Sequence, residues 1–201
     1  MRNNLLNKKE EKELEEYNKK IAEFFGMPLE DFKIEIATKE KIKDITKKDY
    51  KWLISVVDRN KIYILPRNEI SKDFFETIKH ELVHIYVHKK FPQTMGFIDE
   101  GLAEYFSRPY KREWQKELLK EDSDIIQFMI GAKKRYLSAF SLVYFLIKNF
   151  GKEKLFLLAS KLKPFNKMST KEANSIFLSV LKIDIPTFEK QWRQFIKNES
   201  T

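Results

Sequence analysis

"DFFETIKHELVHIYVHKKF", residues 73–91, holds all three histidines of a 201-residue chain, each four positions from the next. The stretch reads as a helix. Asp73 with Glu76 fits a capping box, Phe74, Ile78, Leu82 and Ile85 recur at helical spacing as an apolar stripe, and Pro92 ends the run. On such a helix His80 and His84 lie one turn apart on one face, so their imidazoles can converge on one cation. Glu81 stands beside them. "HELVH" is the H-E-x-x-H pattern, in which two histidines bind zinc and the glutamate acts as general base for the water that the metal polarises. His88 would lie ~12 Å along the axis from His80, too far to share a zinc whose bonds are ~2 Å, and is expected at the rim or surface.

Composition bounds what surrounds this helix. A chain of 201 residues with 42% hydrophobic and 14% aromatic residues, 17 of them Phe, can bury one sizeable core and is expected to form one domain over residues 1–201. With no cysteine there is no disulfide framework and no thiolate ligand, so a transition-metal site must be built from nitrogen and oxygen donors. The N-terminus turns charged after two leucines, and no segment is apolar enough to span a membrane. A soluble, cytoplasmic protein is expected. The formal charge of +9 raises nucleic acid or an acidic partner as binding classes. The cations are nevertheless interleaved with 30 acidic residues, as in "NKKEEKELEEYNKK", which reads as solvated helix faces and argues against nucleic acid.

N-terminal to the histidine helix, residues 6–25 read as an amphipathic helix ending at Gly26, and "FKIEIAT" alternates as a strand does. "WLISVVD" and "KIYILP" flank Arg59-Asn60 as a hairpin. C-terminal to it, helices are expected at 97–107, 112–120, 124–148, 152–162, 170–181 and 186–197. The fold class is therefore α+β: a small N-terminal antiparallel or mixed sheet, then a mostly helical part carrying the metal helix. Residues 1–49 supply the first helix and strand, 50–110 the hairpin, metal helix and a third-ligand helix, and 111–201 a helical subdomain.

A catalytic zinc site needs a third protein ligand and leaves its fourth position to water. "FIDEGLAEYF", residues 97–106, places Glu100 and Glu104 one turn apart, so one carboxylate could bind metal while the other hydrogen-bonds a ligand histidine. Pro92 and Gly96 offer the reversal that would return this helix antiparallel to the first.

"HELVH" followed by "DEGLAEYF" resembles the gluzincin metallopeptidases, in particular the peptidase-MA-like group and the catalytic domain of aminopeptidase N and leukotriene A4 hydrolase. The resemblance implies a zincin-like fold with zinc on His80, His84 and Glu100, Glu81 as base and Glu104 as an outer carboxylate. "YLSAFSLVYFLIKNFGKEKL", residues 136–155, looks like the family's helix that begins with a catalytic tyrosine, which assigns Tyr136 to the oxyanion of the tetrahedral intermediate. The closing "IPTFEKQWRQFIKN" is similar to the terminal helix of such domains, so the resemblance spans roughly residues 50–197.

Two departures qualify it. No glycine begins the G-x-M-E-N motif with which the aminopeptidases hold a free amino terminus, and the interval between His84 and Glu100 is shorter than theirs. "EANSIF", residues 172–177, resembles a third-ligand segment of repressor-cleaving metallopeptidases but reads as an ordinary helix with Ile176, Phe177 and Val180 inward. The expected function is a zinc peptidase acting on peptide or protein substrates and not an aminopeptidase, with either hairpin strand available to an extended substrate. The alternative is a catalytically silent or regulatory metal-binding domain that holds an acidic protein or nucleic-acid partner.

Overall fold

The structure, a computed structural model, describes residues 5–47, 53–70, 73–107, 136–164 and 167–199. These residues form an α+β chain, mostly helical with one three-stranded mixed sheet. The helix expected at 112–120, and the part of the 124–148 helix before Tyr136, lie outside them. The chain divides into two compact units, residues 1–90 and 91–201.

In the first unit, α1 (Lys8–Phe25) starts at a reciprocal capping box between Asn7 and Glu10. It stops at Gly26, whose φ of 60° is costly for a residue with a β-carbon. There the N–H groups of Gly26 and Met27 close onto Glu23 and Ala22 carbonyls in a Schellman arrangement. β1 (Lys33–Ile36) follows, then α2 (Lys39–Thr46), capped by Thr38 Oγ1. β2 (Ser55–Asp58) and β3 (Lys61–Ile64) form the expected hairpin, with Ser55 opposite Ile64 and Asp58 opposite Lys61. β1 pairs with β3 in parallel, which gives the strand order β1-β3-β2. β3 is thus the central strand, bonded on both sides, and its Ile62 and Ile64 are fully buried. "KIYILP" therefore has no free edge for a substrate strand. β2 has one among the described residues.

α3 (Phe74–Lys90) lies against β2, β3 and α1. Covered by both sheet and helix, it buries Ile78, Leu82, Val83, Ile85, Tyr86 and Val87 completely, rather than the single stripe expected of it. Asp73 Oδ1 accepts the Phe75 and Glu76 N–H groups at 2.9 and 3.4 Å, and the Glu76 carboxylate pairs with Lys79.

In the second unit, α4 (Gly96–Ser107) packs against α5 (Tyr136–Phe150), which also contacts α6 (Lys152–Lys161) and α8 (Ile185–Glu199). The core here is aromatic. Phe145, Phe150, Phe177 and Phe188 meet edge-on or tilted at 5.1–6.2 Å between centroids, and Trp192 Nε1 donates to Ser141 Oγ at 3.1 Å. α7 (Thr170–Leu181) contains "EANSIF" and begins at a Ser169–Glu172 capping box. It buries Ala173, Phe177 and Val180, whereas Ile176, expected inward, is only half-buried. Its Asn174 Oδ1 accepts the Ile185 N–H at 2.8 Å, a structural duty that joins it to α8.

Candidate metal centre

α3 places His80 and His84 one turn apart, and the helix brings their Nε2 atoms to 3.2 Å of each other. The rings stand edge to face, 4.9 Å between centroids and 74° between planes. Two nitrogens bound to one tetrahedral zinc at ~2.05 Å each stand ~3.3 Å apart, so the observed spacing fits a shared metal with little adjustment. The same pair could instead share one proton between a donor and an acceptor nitrogen. His84 is 7% exposed and His80 half-buried. His88 is exposed and stacks on the His84 ring at 5.6 Å and 27°, a contact that limits how that ring can turn.

Glu81, next to His80, is only 8% exposed. Among the described residues its one hydrogen-bond partner is Ser55, whose Oγ donates to Oε1 at 2.7 Å. No lysine or arginine of the described chain pairs with it. A buried carboxylate served by one neutral hydroxyl is poorly compensated on its own, and a cation held by the neighbouring imidazoles would supply the missing charge. Zinc fits the donor set: two converging imidazoles and a nearby carboxylate, with no thiolate in the chain.

Away from the histidines, another side of α3 is fastened to α1. Tyr86 Oη donates to Asn18 Oδ1 and accepts the Glu30 N–H at 3.0 Å, while Asn18 Nδ2 donates to the Glu30 carbonyl at 3.1 Å. Phe25 stacks on the Tyr86 ring at 5.7 Å, and Lys90 Nζ donates to the Phe25 carbonyl at 2.6 Å. Lys79 bonds Glu13 at 3.3 Å and lies 5.6 Å over the Tyr17 ring. At ~100° per residue, Lys79, Tyr86 and Lys90 form a stripe about 120° around the helix from the His80–His84 pair. α1 therefore braces α3 along a stripe distinct from the one that carries His80 and His84.

The remaining expected residues belong to the second unit. Glu100 is half-buried on α4 and Glu104, one turn on, is 3% exposed. Between them Gly101 meets α5 so closely that a β-carbon there would stand 2.5 Å from the Ala139 carbonyl oxygen and 2.5 Å from Val143 Cγ2. Tyr136, half-buried at the start of α5, shares the stripe of that helix with Ala139 and Val143. Tyr105, Phe140 and Tyr144 stack beside this crossing, with centroids 5.9–6.4 Å apart.

Ser55 was not legible as a site residue. It lies outside any short motif, and only strand pairing brings it to Glu81, a residue 26 positions away. No protein-family model matches the chain, and no curated protein or solved structure matches it.

Proposed function

We propose that this chain is a zinc-dependent peptidase of zincin-like architecture. The observation that carries the reading is the 3.2 Å approach of the His80 and His84 Nε2 atoms beside a buried Glu81. His80 and His84 would hold the metal, and Glu100 enters as third ligand through its place in "DEGLAEYF" after "HELVH". Bound zinc would supply a polarised water and a Lewis acid for the substrate carbonyl.

The other steps fall to this chain's own groups. Glu81 takes the proton of the attacking water and returns it to the leaving nitrogen. Tyr136 donates its phenolic hydrogen to the oxyanion, and Glu104 orients a ligand from outside. The free edge of β2 offers main-chain hydrogen bonds to an extended peptide. With no G-x-M-E-N segment in the chain, an aminopeptidase specificity is not part of the proposal.

Mass-spectrometric cleavage profiling of the zinc-loaded protein on a mixed peptide library, beside Glu81→Gln, tests this reading. Cuts made by the native protein and missing from the variant are expected. If both proteins bind zinc and neither cuts, the chain is a metal-binding domain without turnover.

A further inference from the structure

We infer that Ser55 is a positioning residue for Glu81, holding the carboxyl group in the one rotamer from which it can act as a base. This rests on the peptidase reading for its consequence, though not for its geometry. Ser55 is the first residue of β2 and is 6% exposed. Its backbone position is set on both sides of the hairpin register, by pairing with Ile64 and by the adjoining Leu65 N–H to Ile54 carbonyl bond at 2.9 Å. A β-strand presents alternate side chains to one face, and α3 lies on that part of the sheet, so the Ser55 hydroxyl meets Glu81 without searching.

The bond has a consequence for the carboxyl group. Ser55 uses Oε1 at 2.7 Å, and no described residue hydrogen-bonds Oε2, which leaves that oxygen for a water or substrate proton. A glutamate side chain has three rotatable bonds, and a base must stand within ~3 Å of the proton that it takes. Neighbouring apolar groups can exclude water but cannot select which oxygen faces outward. The Ser55 hydroxyl can, because it engages one oxygen and so dictates where the other points.

Ser55→Ala and Ser55→Thr test the assignment, read three ways. The alanine variant should lose about tenfold to a hundredfold in kcat with KM little changed, the scale expected when a base is misplaced by about an ångström. Threonine, which keeps the hydroxyl and suits a strand, should restore most of it. Introduced into Glu81→Gln, the alanine change should cost nothing further. The reading that needs no activity is crystallographic: zinc-loaded native protein should show one Glu81 conformer bonded to Ser55, and Ser55→Ala more than one, at equal zinc stoichiometry.

An unchanged single Glu81 conformer in Ser55→Ala overturns the inference, as does a native kcat in that variant. A native protein that binds zinc and cuts no peptide would sink the peptidase reading alone, since the conformer comparison still decides the role of Ser55.

Discussion

Tyr86 Oη donates its hydrogen to Asn18 Oδ1 across the contact between α3 and α1, and the Glu30 N–H returns a hydrogen bond to the same oxygen at 3.0 Å. Tyr86 stands two positions after His84 and points about 160° away from it around the helix. The ring is fully buried, so the three polar groups have only one another to satisfy them. The arrangement fixes the rotation of α3 about its axis, and with it the direction in which the two imidazoles face.

Replacing Tyr86 with Phe leaves the Asn18 side-chain oxygen and the Glu30 N–H without their Tyr86 partner, at a cost of about 1–3 kcal/mol. Urea unfolding should show this as a lower midpoint with an unchanged slope. Removing residues 1–26 should go further, exposing Tyr86 and Phe75, and lower soluble yield without raising any activity. A truncated protein that is stable and more active would mean that α1 covers the site, contrary to its place on the Lys79, Tyr86 and Lys90 stripe.

Gly101 supplies a second test of construction. A glycine inside a helix costs ~1 kcal/mol relative to alanine, so its presence in α4 needs a reason, and the reason is the approach of α5. A methyl group there would overlap the Ala139 carbonyl and Val143. Gly101→Ala should destabilise by about 1–3 kcal/mol, which for a chain of this size lowers Tm by about 2–12 °C. An unchanged Tm would show that the two helices do not cross as closely as described.

Much of the fold could be read along the chain because most helices carry their own start, stop and apolar spacing. α3 was expected from Asp73 to Pro92 and runs Phe74–Lys90; α7 was expected at 170–181 and occupies Thr170–Leu181. α2 escaped because Ile42 is its only buried residue, and one apolar position makes no stripe. The parallel pairing of β1 with β3 escaped for a different reason: alternation marks a strand but does not name its neighbour. The histidine pair is local, four residues on one helix, and spacing alone brings its nitrogens together. The Ser55–Glu81 bond is not local, and only the assembled sheet shows it.

Metal binding should be visible as stability. A ligand that binds only the folded chain adds about 2.7 kcal/mol at a hundred times its Kd, which raises Tm by about 5–10 °C here. Saturating zinc should produce that shift in the native protein and in Glu81→Gln, and lose it in His84→Ala. Differential scanning calorimetry with and without a chelator reads all three. A shift that survives His84→Ala would place the metal elsewhere.

Tyr17 and Tyr86 both belong to the α1–α3 brace, yet they should respond in opposite ways. Burial pushes the Tyr17 hydroxyl well above the usual tyrosine range, helped by the charge of Glu76, and its oxygen has no hydrogen-bond partner among the described residues. Burial also raises Tyr86, with the Glu30 N–H opposing and the Glu30 charge assisting. For each, the folded chain holds a proton that the unfolded chain releases above about pH 10. The stability they contribute is therefore complete below about pH 10 and is lost as pH climbs toward the raised folded values. Tyr17→Phe removes a buried hydroxyl that bonds nothing, so at pH 7 it should be neutral or stabilising by up to about 1 kcal/mol, whereas Tyr86→Phe destabilises. Above pH 10 both variants should lose less stability per pH unit than the native protein, since each has one fewer proton to hold. Urea midpoints at pH 7, 9, 10 and 11 separate the two, and equal losses at pH 7 would mean that the Tyr17 hydroxyl is bonded after all.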